Sequence, residues 1–295
     1  MSNLIYHYCS VESFENIINN KTIRLSEVSK TNDFMEHKYA LKKILEEVMK
    51  KYRSFDFKDI DFINSFYEKS TPVLVLCFSE NGDKLCQWTN YASNGRGIAI
   101  GFDYTLLKKI NEFNNESISI DKIKYRDEEQ SQIISPIVNE VIKQHESNEK
   151  KDEDDFKNYL SIILNLIIYS GNKNFNNLSC KMKDSAFSDE EEVRIIFSPN
   201  LCKLSKVEDF KGCGQIETKP FKFGTLKYKT KNGNLVLYAD LSFQDFIKDN
   251  INKDIVIGPG CKVSEKDVKY FLIGNGYNYK EINIRKSKIP YRAKE

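Results

Sequence analysis

Two short apolar runs constrain the fold of this chain more than any other feature. Residues 73–78 (VLVLCF) follow Pro72 and end at Ser79-Glu80-Asn81-Gly82, and residues 97–102 (GIAIGF) end at Asp103. A strand with one wet face alternates apolar and polar side chains. An unbroken run of this length between turn residues instead predicts a strand covered on both sides. The chain must therefore build layers around a central sheet, and its 295 residues suffice to bury a full core.

The flanking patterns extend that sheet. Leu4, Tyr6 and Tyr8 alternate with Ile5, His7 and Cys9, which predicts a first strand with His7 on the face of Ile5 and Cys9. Ser10 caps a helix bearing Val11, Phe14, Ile17 and Ile18 on one side, and residues 23–26, ending at Ser26, return as a second strand. A polar loop at 30–36 leads into a helix with Met35, Tyr39, Ile44, Leu45 and Val48 on its buried stripe, and another amphipathic segment runs to about residue 69. Residues 118–125 alternate as a strand.

The region from 127 to about 183 reads as helical. It contains the charge run EKKDEDD at 149–155, expected as a solvated loop, and a nearly all-apolar stretch at 160–169, expected as a buried helix because it is too short to span a membrane. Residues 192–197 predict a strand, and 221–229 with 235–241 predict a hairpin across Asn232-Gly233. The chain ends as a strand (254–257), a Gly-Pro-Gly turn, a helix (264–273) and a strand (281–286). No repeat or linker interrupts it, so a single α+β domain over 1–295 is expected, with a helical insertion at about 127–183.

Composition removes several function classes. Lys+Arg number 45 and Asp+Glu 43, a net charge of +2, so no overall field draws the chain to nucleic acid or to an anionic membrane. The seven cysteines form no C-x-x-C pair, the N-terminus lacks a basic-then-apolar signal pattern, and no apolar run approaches the ~18 residues of a membrane span. These features predict a cytoplasmic protein with reduced thiols, without a zinc site and without a membrane partner. The phosphate-binding, dinucleotide-binding, serine-hydrolase and zinc-protease signatures are absent from the sequence.

Three places could carry chemistry. His7 is one of three histidines and sits in the opening strand, where it could simply cap a carbonyl or could meet a ligand. Trp88 and Tyr91 stand three residues apart in QWTNY and would share a helical face, either anchoring the adjacent Gly- and Asn-rich loop or facing a ligand. In FSDEEEVRIIF (187–197) an acidic run enters an apolar strand, and period two puts Glu190, Glu192 and Arg194 on one face. Such a run is ordinarily solvated. Two carboxylates beside an arginine can also be tuned as acid, base or electrostatic stabiliser, or hold a metal.

The blocks YHYCSVESFENIINNKTIRLS, TNDFMEH, LCFSENGDKLCQWTNYASNGRGIAIGFD, FSDEEEVRIIF and DIVIGPG resemble a bacterial family catalogued as domain of unknown function two-nine-seven-one. A second, weaker resemblance is to the His-Tyr-Glu type of ADP-ribosyltransferase, through the order of a strand histidine, a central aromatic segment and a late strand opened by glutamate. That resemblance implies a split, mostly antiparallel sheet that grips NAD in its cleft. It implies His7 as ligand of a ribose hydroxyl, Tyr91 or else Trp88 as the aromatic on nicotinamide, and Glu192 as the catalytic glutamate. Glu190 would act on the acceptor, and Ser26 and Arg194 would contact NAD. NAD enters as substrate with no metal, the acceptor being a protein, a nucleic acid or water, and a role in bacterial defence follows by analogy. A non-catalytic binding module of the same fold is the alternative, and a metal-dependent hydrolase, sensitive to chelator, is a third reading.

Overall fold

The run at 73–78 lies in the strand that organises the sheet. In the computed structural model, which describes residues 3–30, 38–51, 72–109, 118–147, 177–198, 217–218, 221–223, 226–231, 233–247 and 251–292, the strands are β1 (Leu4–Cys9), β2 (Thr22–Glu27), β3 (Leu74–Ser79), β4 (Ile98–Asp103), β5 (Ile118–Lys122) and β6 (Glu192–Phe197). They continue as β7 (Glu217–Thr218), β8 (Phe221–Phe223), β9 (Lys227–Lys231), β10 (Asn234–Ser242), β11 (Asn252–Ile257) and β12 (Asn283–Lys286). The helices are α1 (Val11–Asn20), α2 (Tyr39–Lys51), α3 (Leu85–Tyr91), α4 (Tyr104–Lys108), α5 (Asp127–Glu146) and α6 (Glu265–Gly274).

One edge of β3 pairs with β6 along its whole length, and β6 in turn pairs with β5. The other edge is shared. Leu74 and Val75 pair with Glu27 and Ser26 of β2, Ser79 pairs with Tyr6 of β1, and no described strand pairs with residues 76–78 between them. From this divergence one wing continues through β4, β11 and β12, and the other through β10, β8 and β7. The pairs are antiparallel except β11–β12. The fold is thus α+β, with a mostly antiparallel, open sheet that divides at β3.

Local chemistry explains the elements. Ser10 accepts from the Ser13 amide, starting α1, whose Phe14, Ile17 and Ile18 are buried against the sheet. Each such burial contributes roughly 1.5–3 kcal/mol. Asp103 caps α4, and Ser264 and Asp267 form a reciprocal capping box on α6. The strands β3 and β4 are covered on both faces, as their apolar runs require: Leu76, Phe78, Ile98 and Ile100 lie in the main core, while Ala99 packs with Tyr6, Tyr8 and Trp88 on the opposite side. A separate apolar cluster joins α2 and α5 through Leu41, Ile44, Ile134 and Val141, with Met182.

Several boundaries differ from expectation. The strand predicted at 221–229 is two strands, β8 and β9, which pair with different parts of β10. The hairpin turn after β9 holds Gly233 at φ 76, a left-handed conformation that suits glycine. The strand expected at 118–125 ends at Lys122, followed by an isolated bridge from Lys124 to Met182. The readings at Met35, at 52–69, at 149–155, at 160–169 and at Asn232 lie outside the described residues. Among those described, no helix is long and apolar enough to cross a membrane.

Candidate functional site

A cleft of about 350 Å³ opens where the sheet divides, lined by β1, β3, α3, the turn before β6 and β6 itself. His7 comes from β1. Its Nδ1 donates to the Cys77 carbonyl at 3.0 Å, on the stretch of β3 edge that no described strand covers. This is the carbonyl cap that its strand position suggested. The same bond fixes the tautomer, leaving Nε2 as the acceptor. Burial lowers the His7 pKa below its ordinary 6.5, against the opposing effect of the Cys77 carbonyl, so the ring is neutral at neutral pH.

Tyr91, at the end of α3, is partly exposed at the cleft, and its hydroxyl donates to Glu190 Oε1 at 2.8 Å. Burial, and then the Glu190 charge, push its phenol well above the usual range. Trp88 lies elsewhere. It is wholly buried, its indole N–H donates to Asp83 at 2.8 Å, and its ring meets Tyr8 edge to face. Three residues on a helix give only approximate alignment, and the large apolar indole packs onto the sheet face against Tyr8, Ala99 and Val256. The expectation that Trp88 faces a ligand is therefore corrected: it anchors α3. Ser26 is also removed from the cleft, because it sits in the ladder between Val75 of β3 and Tyr238 of β10.

The acidic run divides sharply. Asp184 caps a 3-10 turn at Ser185–Glu190, and Glu191 then takes φ 47 before β6 begins at Glu192. Glu190 is thus not part of the strand, contrary to simple alternation. The turn nevertheless swings it toward Glu192. Ser79 Oγ and Gln87 Nε2 both donate to the Glu190 carbonyl, at 2.9 and 3.2 Å, and hold this corner against β3 and α3. The side chains of Asp189 and Glu191 are exposed at 88% and 45%, whereas those of Glu190 and Glu192 are at 8% and 6%. Solvation accounts for half of the run and not for the other half.

The buried carboxylates share cations. Arg194, fully buried, forks onto Glu192 with Nε to Oε1 at 2.8 Å and its second contact to Oε2 at 2.6 Å. Lys183 donates to Glu190 Oε2 at 2.6 Å and lies 3.7 Å from Glu192 Oε2. Burial raises the Glu192 pKa, and the Arg194 fork with Lys183 more than reverses this, leaving it below the ordinary carboxylate value. Tyr125 accepts from the Glu192 amide at 3.1 Å. Backbone bonds between Lys124 and Lys183, clamped by the buried Gln130 of α5, bring Lys183 to this point.

The structure therefore brings together His7, Tyr91, Glu190, Glu192 and Arg194. Sequence reasoning missed Lys183, one of 45 basic residues with no local pattern to mark it, and Phe187, whose ring lies 4.5 Å from the Lys183 ammonium. The alternating pattern marks Tyr6 and Tyr8 as strand residues only, yet both line the cleft. Tyr6 can cross the sheet because Gly82 and Gly101 lie beneath its ring. A Cβ at Gly82 would stand 2.3 Å from it, and one at Gly101 2.9 Å.

The model of a family described as "Protein of unknown function (DUF2971)" matches residues 87–195 of the chain. This supports the resemblance to that family over the segment that supplies Tyr91, Lys183, Glu190, Glu192 and Arg194, while His7 lies outside the match. No curated protein and no solved structure matches the chain.

Proposed function

We propose that this cleft binds NAD as substrate and breaks its bond to nicotinamide, passing the ADP-ribosyl group to an acceptor, or to water. The observation that carries this reading is the gathering of His7, Tyr91, Glu190 and Glu192, from three remote segments, around one aromatic-walled cleft. At about 350 Å³ the cleft is at the small end of ligand sites, roughly 300–1,000 Å³. It has room for the nicotinamide riboside end of the dinucleotide and not for the whole.

Neutral His7 offers Nε2 to accept from a ribose hydroxyl. In the reaction the C1′–N bond breaks with both electrons leaving on nicotinamide, which becomes neutral, and positive charge develops on the ribose. Fixed carboxylates in a water-poor site stabilise that charge without reorganisation. The acceptor's oxygen or nitrogen then bonds to C1′ and gives up its proton. The test is release of free nicotinamide from NAD by the purified protein, with and without cell lysate as a source of acceptors, beside Glu192→Gln and His7→Ala. Release that falls about 10²-fold or more in Glu192→Gln supports the reading. No release from the wild type under either condition sinks it.

A second reading rests on a specific observation. Both Glu192 oxygens are engaged by Arg194 and both Glu190 oxygens by Tyr91 and Lys183, so neither carboxylate stands ready for chemistry. This favours a binding module, for which calorimetry should show NAD binding without nicotinamide release.

A further inference from the structure

The cleft presents an uncommon charge pattern. Glu190 and Glu192 balance Lys183 and Arg194, and the two cations differ in their attachment. Arg194 holds Glu192 in a bidentate fork and donates also to the Cys180 carbonyl at 3.4 Å. Lys183 instead sends one ammonium to the meeting point of three groups: Glu190 at 2.6 Å, Glu192 at 3.7 Å and the face of Phe187 at 4.5 Å. Its side chain is 5% exposed, yet the residue lines the cleft. Carboxylates and an aromatic face around one point are what a cation-binding pocket requires.

We infer that the Lys183 ammonium occupies a subsite for an organic cation and competes with such a ligand for it. This deepens the reading of the cleft given above and rests on it. The ligand chemistry is a planar organic cation with donor groups, and two sources supply it: the pyridinium ring of NAD or the guanidinium of an arginine acceptor. A phosphate is disfavoured here, because both cations facing the cleft are already engaged by carboxylates. Entry of the cation displaces Lys183 from Phe187 and Glu192 against the hold of its short bond to Glu190, and the long flexible stem lets the ammonium move aside. Lys183 thereby sets a threshold for occupancy.

The experiment uses the full chain and two probes, the 1-methylnicotinamide cation for the pyridinium and methylguanidinium for the guanidinium, with affinity read by calorimetry. In Lys183→Met the butyl-like stem is kept and the competing charge is gone, so at least one probe should bind ~10-fold or more tightly than to wild type, consistent with removal of a neighbouring like charge in a partly desolvated site. Whichever probe gains more identifies the source. Phe187→Ala leaves every buried charge in place and should weaken binding about threefold by removing the aromatic face. Equal affinity in wild type and Lys183→Met, or no binding by either, overturns the inference. Should Lys183→Met not fold, Phe187→Ala decides, and wild-type affinity that is unaffected by it, or absent, overturns the inference as well. Cation binding without nicotinamide release would leave the subsite standing while the NAD reaction failed.

Discussion

Replacing Arg194 by methionine should unfold the protein more readily than any surface change, and the geometry sets the size. Arg194 is completely buried and holds both oxygens of Glu192, itself 6% exposed. Two unit charges at about 4 Å attract by roughly 4 kcal/mol at an effective dielectric of 20. Much of that attraction only repays their desolvation. Removing one partner is different, since it strands the other charge. Glu192 would keep the Cys77 hydrogen bond and, as a cation, Lys183 at 3.7 Å, already committed to Glu190. The expected loss is about 3–5 kcal/mol.

The double variant Glu192→Leu/Arg194→Met removes both charges and leaves Lys183 paired with Glu190, so it should lie within about 1–2 kcal/mol of wild type. Urea unfolding followed by fluorescence measures all three, because Trp88 is the only tryptophan and is fully buried. A loss under about 1 kcal/mol in Arg194→Met, or a double variant no better than the single, would refute the idea that stranded charge dominates. The pH dependence has a defined sign. The folded Glu192 value lies below its unfolded value of 4.5, so the pair stabilises fully above that pH and its contribution is lost as the pH falls from 4.5 through the folded value. The double variant should lack this component of acid sensitivity.

Other consequences can be checked separately. Gly82→Ala places a methyl 2.3 Å from the Tyr6 ring and should destabilise by about 1–3 kcal/mol, measured by urea unfolding. Ser264→Ala removes the α6 capping box and should cost about 1 kcal/mol, read in the same way. Because burial holds the His7 pKa below 6.5, its ring should stay neutral across pH 7–9, and any nicotinamide release should show no His7-dependent change there. A His7 imidazole that titrates above 6.5 by proton NMR would contradict the buried, carbonyl-bonded geometry. Trp88→Phe loses the bond to Asp83 and should loosen α3, seen as faster amide exchange at residues 85–91, while leaving the cleft's charged groups in place.

The sequence by itself determined the parts that depend on short-range patterns. Unbroken apolar runs specify strands buried on both faces, so β3 and β4 were legible, as was the Ser10 cap, whose oxygen satisfies an amide only a few residues away. The acidic entry to β6 was legible as a place of interest, but not which of its acids are buried. That depended on a left-handed residue at Glu191 and on Ser79 and Gln87 holding the Glu190 carbonyl, contacts that join segments about a hundred residues apart. Tertiary structure alone decided that Trp88 turns inward while Tyr91 reaches Glu190, that Lys183 enters the cleft, and that β1 and β2 part on one edge of β3. Periodicity reports which face of an element is apolar; it does not report which charges will meet once the elements are packed, and at this cleft those meetings are the site.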